Sequence, residues 1–124
     1  MKDFKIEVTI TEKEIRDDII TALEQGVGYW MDINEKKNPW LKKAEGKSFS
    51  EIFGSGILDG NTALLHDTEE PSKQFELTLD KLVKGYELYF NRKNHGLEPC
   101  FDIRDAEETD VIFQLAIFGD IVYG

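Results

Sequence analysis

The chain carries few side chains of the kinds that catalyse reactions at neutral pH. Its only histidines are His66 and His95, and its only cysteine is Cys100. Asp67 follows His66 and could orient an imidazole base, but neighbouring residues on a strand point to opposite faces of a sheet. Cys100 with His95 could form a thiol dyad, although a lone cysteine is more often simply buried. Neither pattern predicts a catalytic site.

Sequence motifs of the common enzyme classes are also missing from the chain. It has no glycine-rich phosphate loop ending in Lys-Ser/Thr, no G-x-S-x-G elbow and no H-E-x-x-H helix. One cysteine excludes an internal disulfide framework and a multi-thiolate zinc site. Acidic residues crowd positions 102–110 and could ligate a metal, but helix starts and solvated surface explain them more simply. None of these patterns specifies catalysis, and we expect no metal and no cofactor.

Charge and length restrict the class of protein further. The 124 residues include 25 acidic and 15 basic side chains, which gives a formal net charge of −10. This excess opposes non-specific binding to nucleic acid and to anionic membranes, because both depend on cationic side chains. There is no apolar run of membrane-spanning length, and the charged start MKDFKIEVTITEKE has no signal-peptide core. We expect one domain over residues 1–124 in a reducing cytosol.

Arginine is the scarcest charged residue and therefore the most informative. Arg16 lies on the outer side of a predicted helix, and Arg92 lies near the end of another, where it complements the helix dipole. Arg104 directly precedes a third predicted helix. A guanidinium beside free helix N–H groups suits phosphate oxygens. The alternative for Arg104 is a salt bridge to its neighbours Asp102 or Asp105.

Capping patterns place three helices along the chain. Thr11 with Glu14 and Asp105 with Glu108 match the capping box, and Thr78 precedes a third apolar stripe. Each stripe has residues three and four positions apart.

Glycines indicate where these helices end and where they pack. Gly26 and Gly119 suit left-handed helix stops, and the middle helix is expected to stop before Gly96. Gly85 lies inside that helix at a cost of nearly 1 kcal/mol relative to alanine, which suggests close packing against another element.

Alternating apolar residues predict a strand at residues 4–10. Further strands are expected at residues 29–33, 62–66, 74–79 and 121–123, with a turn at 35–39. Residues 42–61 are rich in glycine and serine, which predicts a packed loop around a short turn, with a mobile lid as the alternative. Together, these predicted elements indicate a single α+β domain, with about three helices on a mainly antiparallel sheet.

Three segments of the chain together resemble a known family. They are residues 10–30, which contain Ala22-Leu-Glu-Gln-Gly-Val-Gly-Tyr-Trp30, residues 77–90, and residues 105–124, which end in Phe118-Gly-Asp-Ile-Val-Tyr-Gly124. They resemble a widespread family of small phage and prophage proteins, and in particular the Thoeris anti-defence sponge proteins. The resemblance covers somewhat under half of the chain, and residues 31–76 stand outside it.

The resemblance implies a non-catalytic protein of the host bacterial cytoplasm. Such a protein sequesters a cyclic ADP-ribose isomer, of the glycocyclic type, that a TIR-domain enzyme makes, and so starves the Thoeris effector of its signal. The family is built as homodimers, some of which assemble further. Gly85 and the apolar Val122-Tyr123 tail would suit such an interface.

The residues themselves suggest where a nucleotide would bind. Arg104 and the N–H groups that open the last helix would take the two phosphates. Trp30 or Tyr29 would stack on adenine, although core packing is the other role open to each aromatic residue. Asn91 and Asp105 would hydrogen-bond ribose hydroxyls. The predicted ligand set is Tyr29, Trp30, Phe90, Asn91, Arg92, Arg104 and Asp105.

Two other classes of function compete with this one. An acidic DNA mimic, or another anti-defence protein that inhibits a host protein by contact, would use the −10 charge itself. It ranks second because the acids are divided among helix starts and outer faces. A nucleotide-degrading enzyme ranks third.

Overall fold

A computed structural model describes residues 7–91 and 99–124. This part of the chain forms a small α+β domain with four α-helices and a three-stranded antiparallel sheet, which confirms the predicted fold class. None of the helices in these ranges is both long and apolar enough to cross a membrane. The elements are α1 (Glu12–Thr21), β1 (Met31–Ile33), α2 (Phe49–Leu58), β2 (Ala63–Asp67), β3 (Gln74–Leu77), α3 (Leu79–Phe90) and α4 (Ala106–Phe118).

The sheet has β2 at its centre and the order β1-β2-β3. Asp32 on β1 lies opposite His66, and Leu65 on β2 lies opposite Phe75 on β3. The strands predicted near residues 29–33, 62–66 and 74–79 are confirmed. The observed β1 and β3 are shorter than predicted, and β2 is shifted by one residue.

Two of the predicted strands are wrong in the described part of the chain. Residues 7–10 form no strand, and residues 4–6 lie outside the described ranges. The C-terminal tail at 121–123 also forms no strand. The backbone N–H groups of Val122 and Tyr123 both donate to Oε1 of Gln114, each at 2.7 Å, instead of to a neighbouring strand. A side chain of α4 thus takes the place of a strand partner.

The first helix begins as predicted but ends differently. The hydroxyl of Thr11 accepts a hydrogen bond from the Glu14 amide at 3.1 Å. After α1 the chain makes a π-helical turn over Ala22–Gly26, closed by Val27 N–H donating to the Ala22 carbonyl at 2.9 Å. Gly26 is not left-handed. A Cβ at this position would lie 2.7 Å from the Ala106 carbonyl oxygen, so the glycine permits close contact with α4.

The loop predicted at residues 42–61 is wrong, because α2 occupies Phe49–Leu58. Ser48 and Glu51 form a capping box at its start. The glycines that argued against a helix are packing positions. A Cβ at Gly54 would contact Ile19 of α1, and one at Gly56 would overlap the Trp40 ring.

The last two helices follow the sequence predictions closely. Thr78 caps α3, the Asp105–Glu108 capping box opens α4, and Gly119 ends α4 with a left-handed φ of 76°. Gly85 packs against α4: a Cβ there would lie 2.8 Å from both the Ala116 Cβ and the Ile112 carbonyl oxygen. Gly85 therefore serves packing within one chain.

Replacing Gly85 with alanine tests this contact. A new methyl gains up to about 1 kcal/mol of helix propensity, but overpacking against backbone costs about 1–3 kcal/mol. We expect Gly85→Ala to lower the free energy of unfolding in urea. The control is Gly54→Ala, whose Cβ would meet α1 at an ordinary 3.6 Å, and which we expect to be neutral or stabilising. A Gly85→Ala protein more stable than wild type would contradict the close contact.

Candidate functional site

Arg104 is buried and its guanidinium is bonded within the fold, with only 3% of the residue exposed. Nε donates to Asp18 Oδ2 at 2.6 Å, and Nη1 donates to the Cys100 carbonyl oxygen at 3.0 Å. Nη2 pairs with the Glu14 carboxylate at 3.5 Å. The salt bridge is thus to α1, not to Asp102 or Asp105. The predicted phosphate contact at Arg104 is corrected, because its donors face the protein's own acceptors.

The ion pair between Asp18 and Arg104 is buried and also accepts a hydrogen bond from α3. Asp18 is buried, and Tyr86 of α3 donates to the same Oδ2 at 2.5 Å. Burial raises the pKa of Asp18, and the hydrogen bonds from Tyr86 and Arg104 oppose that rise. Burial acts to lower the pKa of Arg104, but the hydrogen bond and charge of Asp18 raise it overall. The pair ties α1 to α3 and to the segment before α4.

Buried Trp30 and exposed Tyr29 both bond to a second buried carboxylate, that of Asp110. Trp30 Nε1 donates to Asp110 Oδ1 at 2.7 Å, and the Tyr29 hydroxyl donates to Oδ2 at 2.6 Å. Gln114 Nε2 is a third donor at 3.0 Å. Burial and the hydrogen bond to Asp110 raise the pKa of Tyr29 to about 12. A buried carboxylate is here held by neutral donors.

The ring of Trp30 already stacks on another side chain. It lies parallel to the Tyr123 ring with centroids 5.0 Å apart, and only 2% of Trp30 is exposed. Phe75 and Phe118 cover it from the sheet and from α4. The predicted adenine stack on Trp30 is therefore corrected to a core contact with the C-terminal tail.

The other predicted residues are dispersed. Asp105 caps α4, its Oδ1 accepting from the Glu108 amide at 2.9 Å. Arg92 and His95 lie outside the described residues. Phe90 and Asn91 line a cavity, and they are the members of the predicted ligand set that the structure brings together.

Of the two arrangements considered for catalysis, the structure tests the pairing of His66 with Asp67 but not the dyad of Cys100 with His95, because His95 lies outside the described ranges. Asp67 accepts hydrogen bonds from the amides of Glu69 and Glu70 and from the Tyr123 hydroxyl, and so does not orient His66. Cys100 Sγ donates to the Ile103 carbonyl oxygen at 3.2 Å. Over residues 7–91 and 99–124, no three His, Cys, Asp or Glu residues cluster closely enough to hold a metal.

The cavity lies beside the first turns of α1 and the outward face of α3, and we call it the α1–α3 cavity. Its volume is about 500 Å³. The described lining consists of aliphatic and aromatic side chains with two polar ones: Val8, Ile10, Ile15, Val83, Tyr86, Glu87, Phe90, Asn91 and Phe101. An apolar cavity with a few polar groups is the usual form of a small-molecule site.

Three aromatic rings form a row along this cavity. Phe90 stacks on Phe101 with centroids 5.0 Å apart and planes 20° from parallel, and on Tyr86 at 6.3 Å and 18°. The row runs from buried Tyr86 to Phe101, which is 62% exposed. The Arg104 guanidinium lies 5.7 Å and 6.0 Å from the Tyr86 and Phe90 centroids. Arg104 thus supports the row of rings.

Sequence reasoning missed most of this lining, although a signal was present. Val83, Glu87 and Asn91 are spaced by four on α3, so they share a face that the buried stripe does not use. Val8 and Ile10 alternate in the segment before α1. Val83 is an apolar residue on the outward face of α3, and 45% of it is exposed. Such a residue is the signal that could have indicated a cavity.

Comparisons of the chain with protein families, with curated proteins and with solved structures found no match. The structure therefore defines the class of the protein through its fold, as a small α+β domain with a lined cavity.

Removing Arg104 tests whether the buried ion pair is structural. Arg104→Ala leaves buried Asp18 without its cation, a change that typically costs about 3–5 kcal/mol. The control is Lys13→Ala, which breaks the exposed Lys13–Asp17 pair at 2.9 Å, and exposed pairs contribute little to stability because water screens them. Urea unfolding followed by circular dichroism measures both. Equal losses for the two variants would contradict a buried, structural Arg104.

Proposed function

We propose that the protein captures a small nucleotide of the cyclic ADP-ribose class in the α1–α3 cavity without converting it. The observation that carries the proposal is the row of stacked rings beside two polar side chains in a cavity of about 500 Å³. Cavities of roughly 300–1,000 Å³ are typical of sites that enclose small organic ligands. The ligand class comes from the family resemblance of the chain.

The aromatic row supplies a surface for the base. Phe101 is exposed and continues the stack of Phe90, so a planar base can extend the row by lying against a free ring face. Stacking of a base on an aromatic side chain contributes about 1–3 kcal/mol. Val8, Ile10 and Val83 border the same space and make it apolar. The base is therefore the part of the ligand that this lining suits best.

The phosphates of the ligand take a different position from that predicted. Arg104 is bonded to Asp18 and Glu14, so it acts indirectly by supporting the Tyr86 and Phe90 rings. Glu87 places a carboxylate in the lining, and like charges repel. The phosphates are accordingly directed out of the cavity mouth.

Sequestration, not turnover, is the activity that this lining supports. A protein that only withholds a signal needs a preformed pocket and slow release. Of the described lining groups, Glu87 is the one carboxylate, and the Tyr86 hydroxyl is bonded to Asp18. The setting we propose is the host bacterial cytoplasm, where a homodimer would remove the product of a TIR-domain enzyme. Exposed Val122 offers apolar surface for that association.

The acidic-mimic alternative receives less support from the fold. Asp18, Asp67, Glu108 and Asp110 all accept hydrogen bonds from tyrosines of the same chain. Carboxylates used in this way do not form an outward acidic stripe.

Calorimetric titration with cyclic ADP-ribose and its glycocyclic isomers tests the proposal. We expect tight binding of one isomer, and chromatography should recover it unchanged. Phe101→Ala should weaken binding roughly tenfold or more through loss of the stack. Phe49→Ala, a half-exposed aromatic residue on α2 outside the cavity, should bind as wild type does. Absence of binding by every isomer, or steady consumption of the nucleotide, would refute it.

A further inference from the structure

Two polar side chains stand one helical turn apart in the otherwise apolar wall formed by α3. Glu87 and Asn91 both line the α1–α3 cavity. Asn91 Nδ2 donates to the Glu87 backbone carbonyl at 2.8 Å, which fixes the Asn91 amide at the end of α3. The fold therefore places both polar residues in the lining that holds the aromatic rings.

The Glu87 carboxylate has no assigned task within the fold as described. It is exposed, and over residues 7–91 and 99–124 it takes part in no ion pair and no side-chain hydrogen bond. The nearby groups differ in this respect. Glu14 is paired with Arg104, and the Tyr86 hydroxyl donates to Asp18. Among the described lining residues, Glu87 is thus a group whose side-chain acceptor oxygens remain for a ligand.

A carboxylate beside aromatic rings selects for a particular ligand chemistry. Ionised carboxylates only accept hydrogen bonds, so they bind hydroxyl and amino donors and repel phosphates. The vicinal hydroxyls of ribose present two donors to the two oxygens of one carboxylate. Acidic side chains hold ribose hydroxyls in this way in dinucleotide-binding folds. A nucleoside with its base on Phe101 would bring its ribose toward the polar edge of the cavity.

We propose that Glu87 is a specificity-determining residue, whose carboxylate accepts hydrogen bonds from the ribose hydroxyls of the bound nucleotide. Asn91 lies next to it and contributes its amide oxygen as a further acceptor. This inference rests on the proposed function and names the part of the nucleotide that is read. A ligand whose ribose hydroxyls are missing then binds more weakly than one that carries them.

The experiment compares adenosine with 2′,3′-dideoxyadenosine, because both carry the base and only adenosine carries the two hydroxyls. Binding is followed by nuclear magnetic resonance titration of the full chain. We expect wild type to prefer adenosine by roughly tenfold or more, as hydrogen bonds to a charged group typically provide. Glu87→Ala should remove the preference, and Glu87→Gln should reduce it. The control Asp80→Asn, an exposed acid of α3 outside the cavity, should keep it.

The outcomes separate this inference from the proposed function. Equal affinity of wild type for the two nucleosides, or an adenosine preference that persists in Glu87→Ala, would overturn the role of Glu87 and leave base stacking in place. Failure of adenosine, cyclic ADP-ribose and its isomers to bind at all would overturn both. A folded Glu87→Ala protein that binds both nucleosides equally is the supporting result.

Discussion

This chain has more acidic than basic side chains, and the carboxylates that its fold buries still need hydrogen-bond donors. Tyrosine hydroxyls supply many of these donors. Each of its four tyrosines donates a hydrogen bond to a carboxylate. The pairs are Tyr29 with Asp110, Tyr86 with Asp18, Tyr89 with Glu108, and Tyr123 with Asp67. Each pair joins separate elements, so the pairs fix α1, α3, α4, β2 and the C-terminal tail relative to one another.

The same constraint decides which residues remain for a ligand. Arg104 is the cation of the most deeply buried pair, and Trp30 Nε1 serves Asp110 as Tyr29 does. A guanidinium and an indole are the groups that would best hold a phosphate and a base, but the carboxylates of this fold bind them first. The proposed ligand is therefore assigned to the outward face of α3. There, aromatic rings and the Glu87 carboxylate line the α1–α3 cavity.

Local signals in the sequence were sufficient for much of the fold. Caps at Thr11, Thr78 and Asp105 and the stop at Gly119 depend on neighbours within one turn, and the structure confirms them. The helix α2 escapes prediction because its glycines favour a loop, although Ser48-x-x-Glu51 carries the same capping pattern. The pairing of Asp18 with Arg104 spans 86 residues. No local pattern encodes such a contact, so the buried position of Arg104 could not be predicted.

Spectrophotometric titration of tyrosinate in the folded protein, with circular dichroism recorded at each pH, measures the tyrosine–carboxylate pairs most directly. Tyrosine ordinarily titrates near pH 10. Hydrogen bonding and burial raise the pKa of all four, to about 12 for Tyr29 and Tyr123. The stabilisation from the pairs is therefore complete below pH 10 and is lost as the pH rises through the folded-state pKa. We predict no tyrosinate near pH 10 while the fold is intact. Tyrosinate forming near pH 10 with an unchanged dichroism spectrum would contradict the account.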